Sequence, residues 1–205
     1  MTCLCLTQNR RNWLPKAIEC FLNQTYPNRE LLIIADGESV RDLVPSDPQI
    51  RLVEIDPRNI GEKRNFGCSR ARGSVIAHWD DDDHSEPERL SDQVARLVES
   101  GKAVTGYFAM RFHEVTSNRW WQYRSRPNYG FGTVGASLMY LKSWWERNNF
   151  PAIQIQEDVE FSKRAELFGQ LVTTDGNLFM FARDHGQNSH ARDRNGSCWS
   201  LITQC

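Results

Sequence analysis

No apolar run in this 205-residue chain approaches the roughly 20 residues that cross a bilayer, so any membrane association is expected to be peripheral or to occur through a segment outside this sequence. The N-terminus also lacks the basic stretch, apolar run and cleavage site of an export signal. Net charge is missing as well: 25 Lys plus Arg stand against 26 Asp plus Glu, and a balance of -1 gives no basic field for nucleic acid. The six cysteines (Cys3, Cys5, Cys20, Cys68, Cys198, Cys205) include no CxxC pair, and several fall in apolar segments where a free thiol behaves as a small buried hydrophobe. That usage reads as a reduced, cytoplasmic chain. Internal repeats and low-complexity linkers are absent too, and 40% hydrophobic content over this length fits one domain with one core. Because Thr2 to Leu6 already reads as a core strand, the chain reads as beginning at its first structural element, and Cys205 reads as a truncation.

What the chain does have is Val75 to His84, VIAHWDDDDH, an apolar β-prone run that delivers four consecutive aspartates to the end of a strand. Four like charges in a row are tolerated where a cation or open water screens them. Aspartate oxygens are hard ligands suited to magnesium, calcium or manganese, and the competing reading is a solvated acidic loop. The position favours a metal. Thr2–Leu6, Leu31–Ala35, Arg51–Ile55 and Val75–Trp79 are candidate strands, with a crossover helix carrying Leu14, Ile18, Phe21 and Leu22 behind Pro15. This is the βαβ pattern of a mainly parallel sheet. After the aspartates, Ser85 and Glu88 form a capping-box pattern, and Leu90, Val94, Leu97 and Val98 make an apolar stripe ending near Gly101. The acidic run therefore sits in a strand-to-helix loop at a carboxyl edge, where ligands bind in open α/β sheets.

The second half is less regular. Ala103–Glu114 reads as a strand, and Arg119–Gly135 as a Trp, Tyr, Arg and Gly mixture suited to a mobile binding loop. Ala136–Leu141 reads as a short strand, Lys142–Asn148 as a short helix, and Glu157–Phe168 as a helix carrying Val159, Phe161 and Leu167. Leu171–Thr174 and Leu178–Ala182 are expected to pair as a hairpin around the Asp175-Gly176 turn signal, with a loop from Asp184 to Ser197.

Four separated segments, CLTQNR (Cys5–Arg10), LLIIADGES (Leu31–Ser39), NIGEKRNFGCSRARGSVIAHWDDDD (Asn59–Asp83) and QEDVEFSKRAELFG (Gln156–Gly169), resemble in order the motifs of the family 2 glycosyltransferases. The resemblance covers most of the chain. It implies an α/β GT-A (nucleotide-diphospho-sugar transferase) fold, with a Rossmann-like, mainly parallel central sheet flanked by helices. It also implies one domain over 1–205, with residues 1–100 binding the nucleotide sugar and metal and 101–205 holding the acceptor and the catalytic base.

The same resemblance implies roles. Asp80 and Asp82 would be the two acids of a DxD motif, with Asp82 the direct ligand of Mn2+ or Mg2+ and Asp80 nearer the ribose or a metal-bound water. Asp81 and Asp83 are harder to place, since four aspartates align in more than one register. Thr7 and Asn9 would shape the nucleotide pocket, and Asp36 would accept the N3–H of a uracil ring. Where many relatives carry a second acid before that position, this chain has Ala35. Asp36 also reads as a turn residue stabilising its own loop, and Arg64, expected on a helix beside the donor phosphates, also reads as a solvated arginine. Asp158 would be the general base, helped by Glu157, although acids are favoured at any helix N-terminus. The HGQNS segment resembles a His-Gly-x-Asn element, in which His185 would complete the metal shell or touch the diphosphate, with His190 a weaker candidate; His78 and His84 read as structural.

Trp120, Trp121, Tyr123, Tyr129 and Phe131 are candidates for a platform under an acceptor sugar, or for a cover over the sheet, with Gly130, Gly132 and Gly135 giving that loop freedom to close. Trp144 and Trp145 read as core or interface. The expected activity is inverting, metal-dependent transfer of a hexose from a nucleotide diphosphate donor, a UDP-sugar, to a carbohydrate or other hydroxyl acceptor. The rivals are a nucleotidyltransferase, disfavoured because TQNRRN has no glycine for a triphosphate loop, and a non-catalytic nucleotide or metal-binding module. A calcium-binding EF-hand is excluded by the missing alternating loop and distal Glu.

Overall fold

In the computed structural model, which describes residues 1–125, 132–188 and 193–203, the first half follows the expected alternation. The elements are β1 (Thr2–Thr7), α1 (Leu14–Leu22), β2 (Glu30–Asp36), β3 (Ile50–Ile55), α2 (Ile60–Arg70), β4 (Val75–His78), β5 (His84–Ser85) and α3 (Arg89–Ser100). β1 pairs in parallel with β2 on one side and β4 on the other, and β2 pairs in parallel with β3. All seven residues of β2 are buried, as expected of a strand covered on both faces. The period of two sorts its side chains: Leu31, Ile33 and Ala35 join Cys3 and Cys5 under α1 and α3, whereas Leu32 and Ile34 join Leu4 on the α2 side. Cys3, Cys5, Cys20 and Cys68 are buried free thiols.

The second half contains β6 (Val104–Glu114), β7 (Arg119–Arg124), β8 (Met139–Leu141), α4 (Lys142–Trp145), α5 (Glu157–Leu167), β9 (Leu171–Asp175), β10 (Met180–Asp184) and β11 (Trp199–Ile202). The sheet runs β11-β7-β6-β8-β4-β1-β2-β3, parallel where the first-half strands meet and mixed beyond them. The long strand β6 is the hub. Its first residues pair with β8 and with β9, and its last with β7 and β10. A register shift between Tyr107 and Ala109 marks where it changes partners.

Several expectations are corrected. Residues 171–182 form no hairpin, because β9 and β10 each pair in parallel with a different stretch of β6. Arg119–Arg124 is a strand rather than loop, while 126–131, with Tyr129, Gly130 and Phe131, lie outside the described residues. Ser85 does not cap α3: it belongs to β5, opposite Met180, and its hydroxyl accepts from Arg89 Nη1 at 2.8 Å. The capping box occurs instead at α2, where Asn59 accepts from the Glu62 amide and the Glu62 side chain reaches back to the Asn59 amide. Val98 and Leu167 are exposed, and Trp144 and Trp145 belong to the core. No helix among the described residues is long and apolar enough to cross a membrane.

Candidate active site

β1 and β4 are adjacent and parallel, so their carboxyl ends deliver Thr7, Gln8 and Arg10 beside Asp80–Asp83. The amino end of α2 closes a second side. Gly61 lets it approach within van der Waals contact: its amide donates to the Ile153 carbonyl at 3.1 Å, and a Cβ at that position would lie 1.8 Å from the Pro151 oxygen. The segment before α5 thereby sits over α2 and presents Glu157 and Asp158. Together these elements surround a cavity of about 520 Å³ lined by Thr7, Gln8, Arg10, Lys63, Arg64, Asp80–Asp83, Gln154, Glu157, Asp158, Gln187 and Asn188. Met110, Phe112, Val134, Ala136 and Ala182 give it one apolar wall.

One carboxylate oxygen from each of Asp80, Asp82 and Asp83 lies within 4.8 Å of the other two. This is a cradle of hard donors whose oxygens can converge on a magnesium or manganese ion. Asp81 lies outside that triplet and accepts from Arg10 Nη1 at 3.0 Å. Burial pushes the Asp80 carboxyl upward, and burial followed by the charge of Asp82 takes Asp81 up to about 6.

Asp82 is the node of the site. Its Oδ2 accepts from Arg10 Nη1 at 2.9 Å, His185 Nε2 at 3.0 Å and Asn188 Nδ2 at 3.2 Å. Since His185 Nδ1 accepts from the Gln187 amide, its proton resides on Nε2. Trp13 stacks on that imidazole, with centroids 4.6 Å apart. The structure brings His185 to Asp82, while His190 lies outside the described residues.

Glu157 and Arg64 form a buried ion pair, Oε1 to Nε 2.8 Å, while Arg64 Nη1 is buried at the cavity without a hydrogen-bond partner among the described residues. Asp158 keeps one oxygen on its neighbouring Val159 amide at 2.8 Å. Burial, then the charge of Glu157, pushes its carboxyl up to about 6, and the charge of Asp80 reaches it. Its other oxygen faces Gly135, the start of a 3₁₀ turn (Gly135–Ser137). That turn is anchored from below: His78 Nδ1 donates to the Gly135 carbonyl at 2.8 Å, Arg89 Nη2 to the Ala136 carbonyl at 3.0 Å, and Gln93 Nε2 to the Ser137 carbonyl at 2.6 Å. Burial holds His78 well below its usual range, so a neutral ring makes that bond.

Asp36 and Asn9 stand one layer back. Buried Asp36 accepts from Lys63 Nζ at 2.7 Å, Gln8 Nε2 at 3.1 Å and the Arg58 amide at 3.3 Å. Asn9, with φ of 54°, accepts from the Glu38 amide and braces the Gly37 turn. Trp120, Trp121 and Tyr123 on β7 do not line the cavity; Trp121 and Tyr123 pack behind its apolar wall of Met110, Phe112 and Ala182, and Trp120 and Trp121 stack with Arg111, Arg119 and Arg194. The cavity also holds Gln8, Arg10, Lys63, Gln154, Gln187 and Asn188, which the sequence did not single out, although Arg10, Lys63 and Asn188 lie inside the CLTQNR, NIGEKRNFG and HGQNS segments.

A curled α/β sheet with an acid-lined cavity at the carboxyl ends of β1 and β4 is the GT-A arrangement. Structures of Staphylococcus aureus TarS 1–349 in complex with UDP-GlcNAc (TM-score 0.71, 16% identity, 92% of this chain and 59% of that one) share the fold. So does the mannosyltransferase PcManGT from Pyrobaculum calidifontis in complex with GDP-Man and Mn2+ (TM-score 0.69, 15% identity, 89% and 56%). The model of glycosyl transferase family 2 matches residues 3–199, and the chain belongs to that family. It is 25% identical over 189 residues to EpsH of Bacillus subtilis strain 168, covering 80% of this chain and 55% of that protein. The O-antigen biosynthesis glycosyltransferase WbnJ of Escherichia coli is 27% identical over 97 residues, covering 44% of this chain and 38% of that protein. The chain thus spans about half of EpsH and less of WbnJ.

Proposed function

We propose that this chain moves a sugar from a nucleoside diphosphate donor, a UDP-sugar, to an acceptor hydroxyl with inversion, as a single domain whose first half binds the donor and whose second half supplies the base and acceptor side. The observation that carries this reading is Asp158, a carboxylate raised to about 6, sharing one cavity with the Asp80, Asp82 and Asp83 cradle. A divalent cation held by those three aspartates would neutralise charge growing on the departing diphosphate. Asp158 takes the proton of the acceptor hydroxyl as its oxygen bonds to the anomeric carbon and the bond from that carbon to phosphate breaks. Glu157 acts through Arg64: the ion pair fixes the guanidinium, leaving Nη1 for a phosphate oxygen. Asp36 serves the nucleotide end by holding Gln8 and Lys63, both of which line the cavity. Thr7 lines the same end, and Asn9 shapes it by bracing the Gly37 turn. His185 orients Asp82 through Nε2–H. On the acceptor side the apolar wall of Met110, Phe112 and Val134 suits the C–H face of a sugar.

Calorimetric titration of UDP and GDP with Mn2+ or EDTA tests the donor reading; UDP binding that requires Mn2+ supports it, and folded protein that binds neither nucleotide removes it. The base also sets a pH dependence. A general base works only when ionised, so kcat/KM rises as pH increases through about 6 and levels off above it. A profile that stays flat between about pH 5 and pH 8 contradicts Asp158 as that base.

A further inference from the structure

We propose that Arg10 is the resident counter-cation of the acidic run, holding Asp82 in competition with the divalent metal and passing to the donor diphosphate when the metal takes that carboxylate. The inference rests on the metal-dependent reading above and adds a residue and an exchange to it.

Arg10 Nη1 bridges two carboxylates, Asp81 Oδ1 at 3.0 Å and Asp82 Oδ2 at 2.9 Å, whose side chains are 1% and 6% exposed. Its Nη2 donates to the Gln187 carbonyl at 2.9 Å. Asp82 Oδ2 accepts from His185 and Asn188 as well, and a carboxylate oxygen has good geometry for about two donors, so this atom is saturated. A metal ion that takes Asp82 through Oδ2 must displace at least one of the three, and one held through Oδ1 still meets the Arg10 charge on the same carboxylate. Asn188 is neutral, and His185 presents an N–H that can turn aside without charge repulsion. Arg10 is the fixed positive charge among them and is the group a divalent cation repels most strongly at that distance. Once displaced it remains in the cavity it already lines with Lys63 and Arg64, where the planar guanidinium matches phosphate oxygens.

A purely structural role predicts the opposite response to deletion. If Arg10 only braced the acidic loop, removing it would loosen the aspartates and weaken metal binding; if it competes, removing it strengthens metal binding. Arg183 supplies a control of equal charge nearby, because its Nη1 donates to the Asp82 backbone carbonyl at 3.0 Å and not to the carboxylate.

The experiment titrates Mn2+ alone, by electron paramagnetic resonance of the free ion, into the EDTA-treated and dialysed full chain at about pH 8. Wild type, Arg10→Ala, Arg10→Gln and Arg183→Ala are compared, with circular dichroism to confirm folding; Arg10→Gln retains a hydrogen bond to the acids and serves if the alanine variant fails to fold. The Arg10 variants should bind Mn2+ roughly tenfold tighter, the scale of one charge-assisted hydrogen bond, and Arg183→Ala should stay within about twofold of wild type. With Mn2+ saturating, UDP should bind the Arg10 variants roughly tenfold more weakly. Unchanged or weaker Mn2+ binding in the Arg10 variants, or equal tightening in Arg183→Ala, overturns the competition, and unchanged UDP affinity overturns the passage to diphosphate. Wild-type protein that binds no Mn2+ removes the metal-dependent reading itself, a result distinguishable from these.

Discussion

Asp158→Asn lowers kcat about 10³-fold, in the range expected for loss of a general base, and leaves Mn2+-dependent UDP affinity within about twofold of wild type. The separation follows from what Asp158 touches. One oxygen accepts from the Val159 amide at 2.8 Å, a bond that the asparagine carbonyl keeps, so α5 retains its first turn. The other faces the cavity beside Gly135 and carries the lone pair that an acceptor hydroxyl needs. Asparagine occupies the same volume without a basic oxygen. Because the proposed donor side is built from Arg64, Lys63 and the Asp80, Asp82 and Asp83 cradle, nucleotide binding has no reason to follow. A fall in UDP affinity as large as the fall in kcat would move Asp158 from proton transfer to donor binding.

Gly135→Ala, a single methyl group, lowers kcat about 10²-fold by moving that same carboxylate. A Cβ at position 135 would lie 1.5 Å from Asp158 Oδ2 and 2.5 Å from its Cγ, distances no non-bonded pair of atoms sustains. One partner must yield. The turn is held by His78 on the Gly135 carbonyl, Arg89 on the Ala136 carbonyl and Gln93 on the Ser137 carbonyl, all three side chains buried. Among the described residues, Asp158 is held by the Val159 amide, its own rotamer and the charge of Arg64, a looser hold than that on the turn, so it is the group that swings. The expected signature is a loss in kcat with UDP affinity preserved and the melting temperature nearly unchanged. Wild-type kcat in the alanine variant would mean that the turn yields and that the base does not depend on it.

The parts of this site legible in the sequence were those whose signals are local. An apolar strand ending in Asp80–Asp83 and a Glu157-Asp158 pair opening a helix both announce themselves within about ten residues. Arg10, Lys63 and Asn188 were hidden because their meaning lies in partners 71, 27 and 106 positions away, Asp81, Asp36 and Asp82 respectively. The same limit explains the strands. Asp175-Gly176 is a true turn signal, yet the residues on either side find parallel partners on β6 rather than each other. β7 shows no clean alternation because Trp120, on the face opposite Trp121 and Tyr123, is apolar too: Trp121 and Tyr123 pack on the cluster of Met110 and Phe112, while Trp120 stacks on His113 under Arg111. Asp36 illustrates a subtler gap: its strand and turn were readable, but its place behind Gln8 and Lys63 is set by α2, whose helical pattern is weak and polar.

The most direct test of the account is release of nucleoside diphosphate by the purified chain from UDP-, GDP- and TDP-sugars, with Mn2+, Mg2+ or EDTA, in the presence of simple sugar acceptors and alongside Asp82→Asn and Asp158→Asn. The account predicts metal-dependent release from a UDP-sugar, abolished by EDTA and sharply reduced in both variants. Release that persists in EDTA, or that survives both substitutions in folded protein, would contradict it.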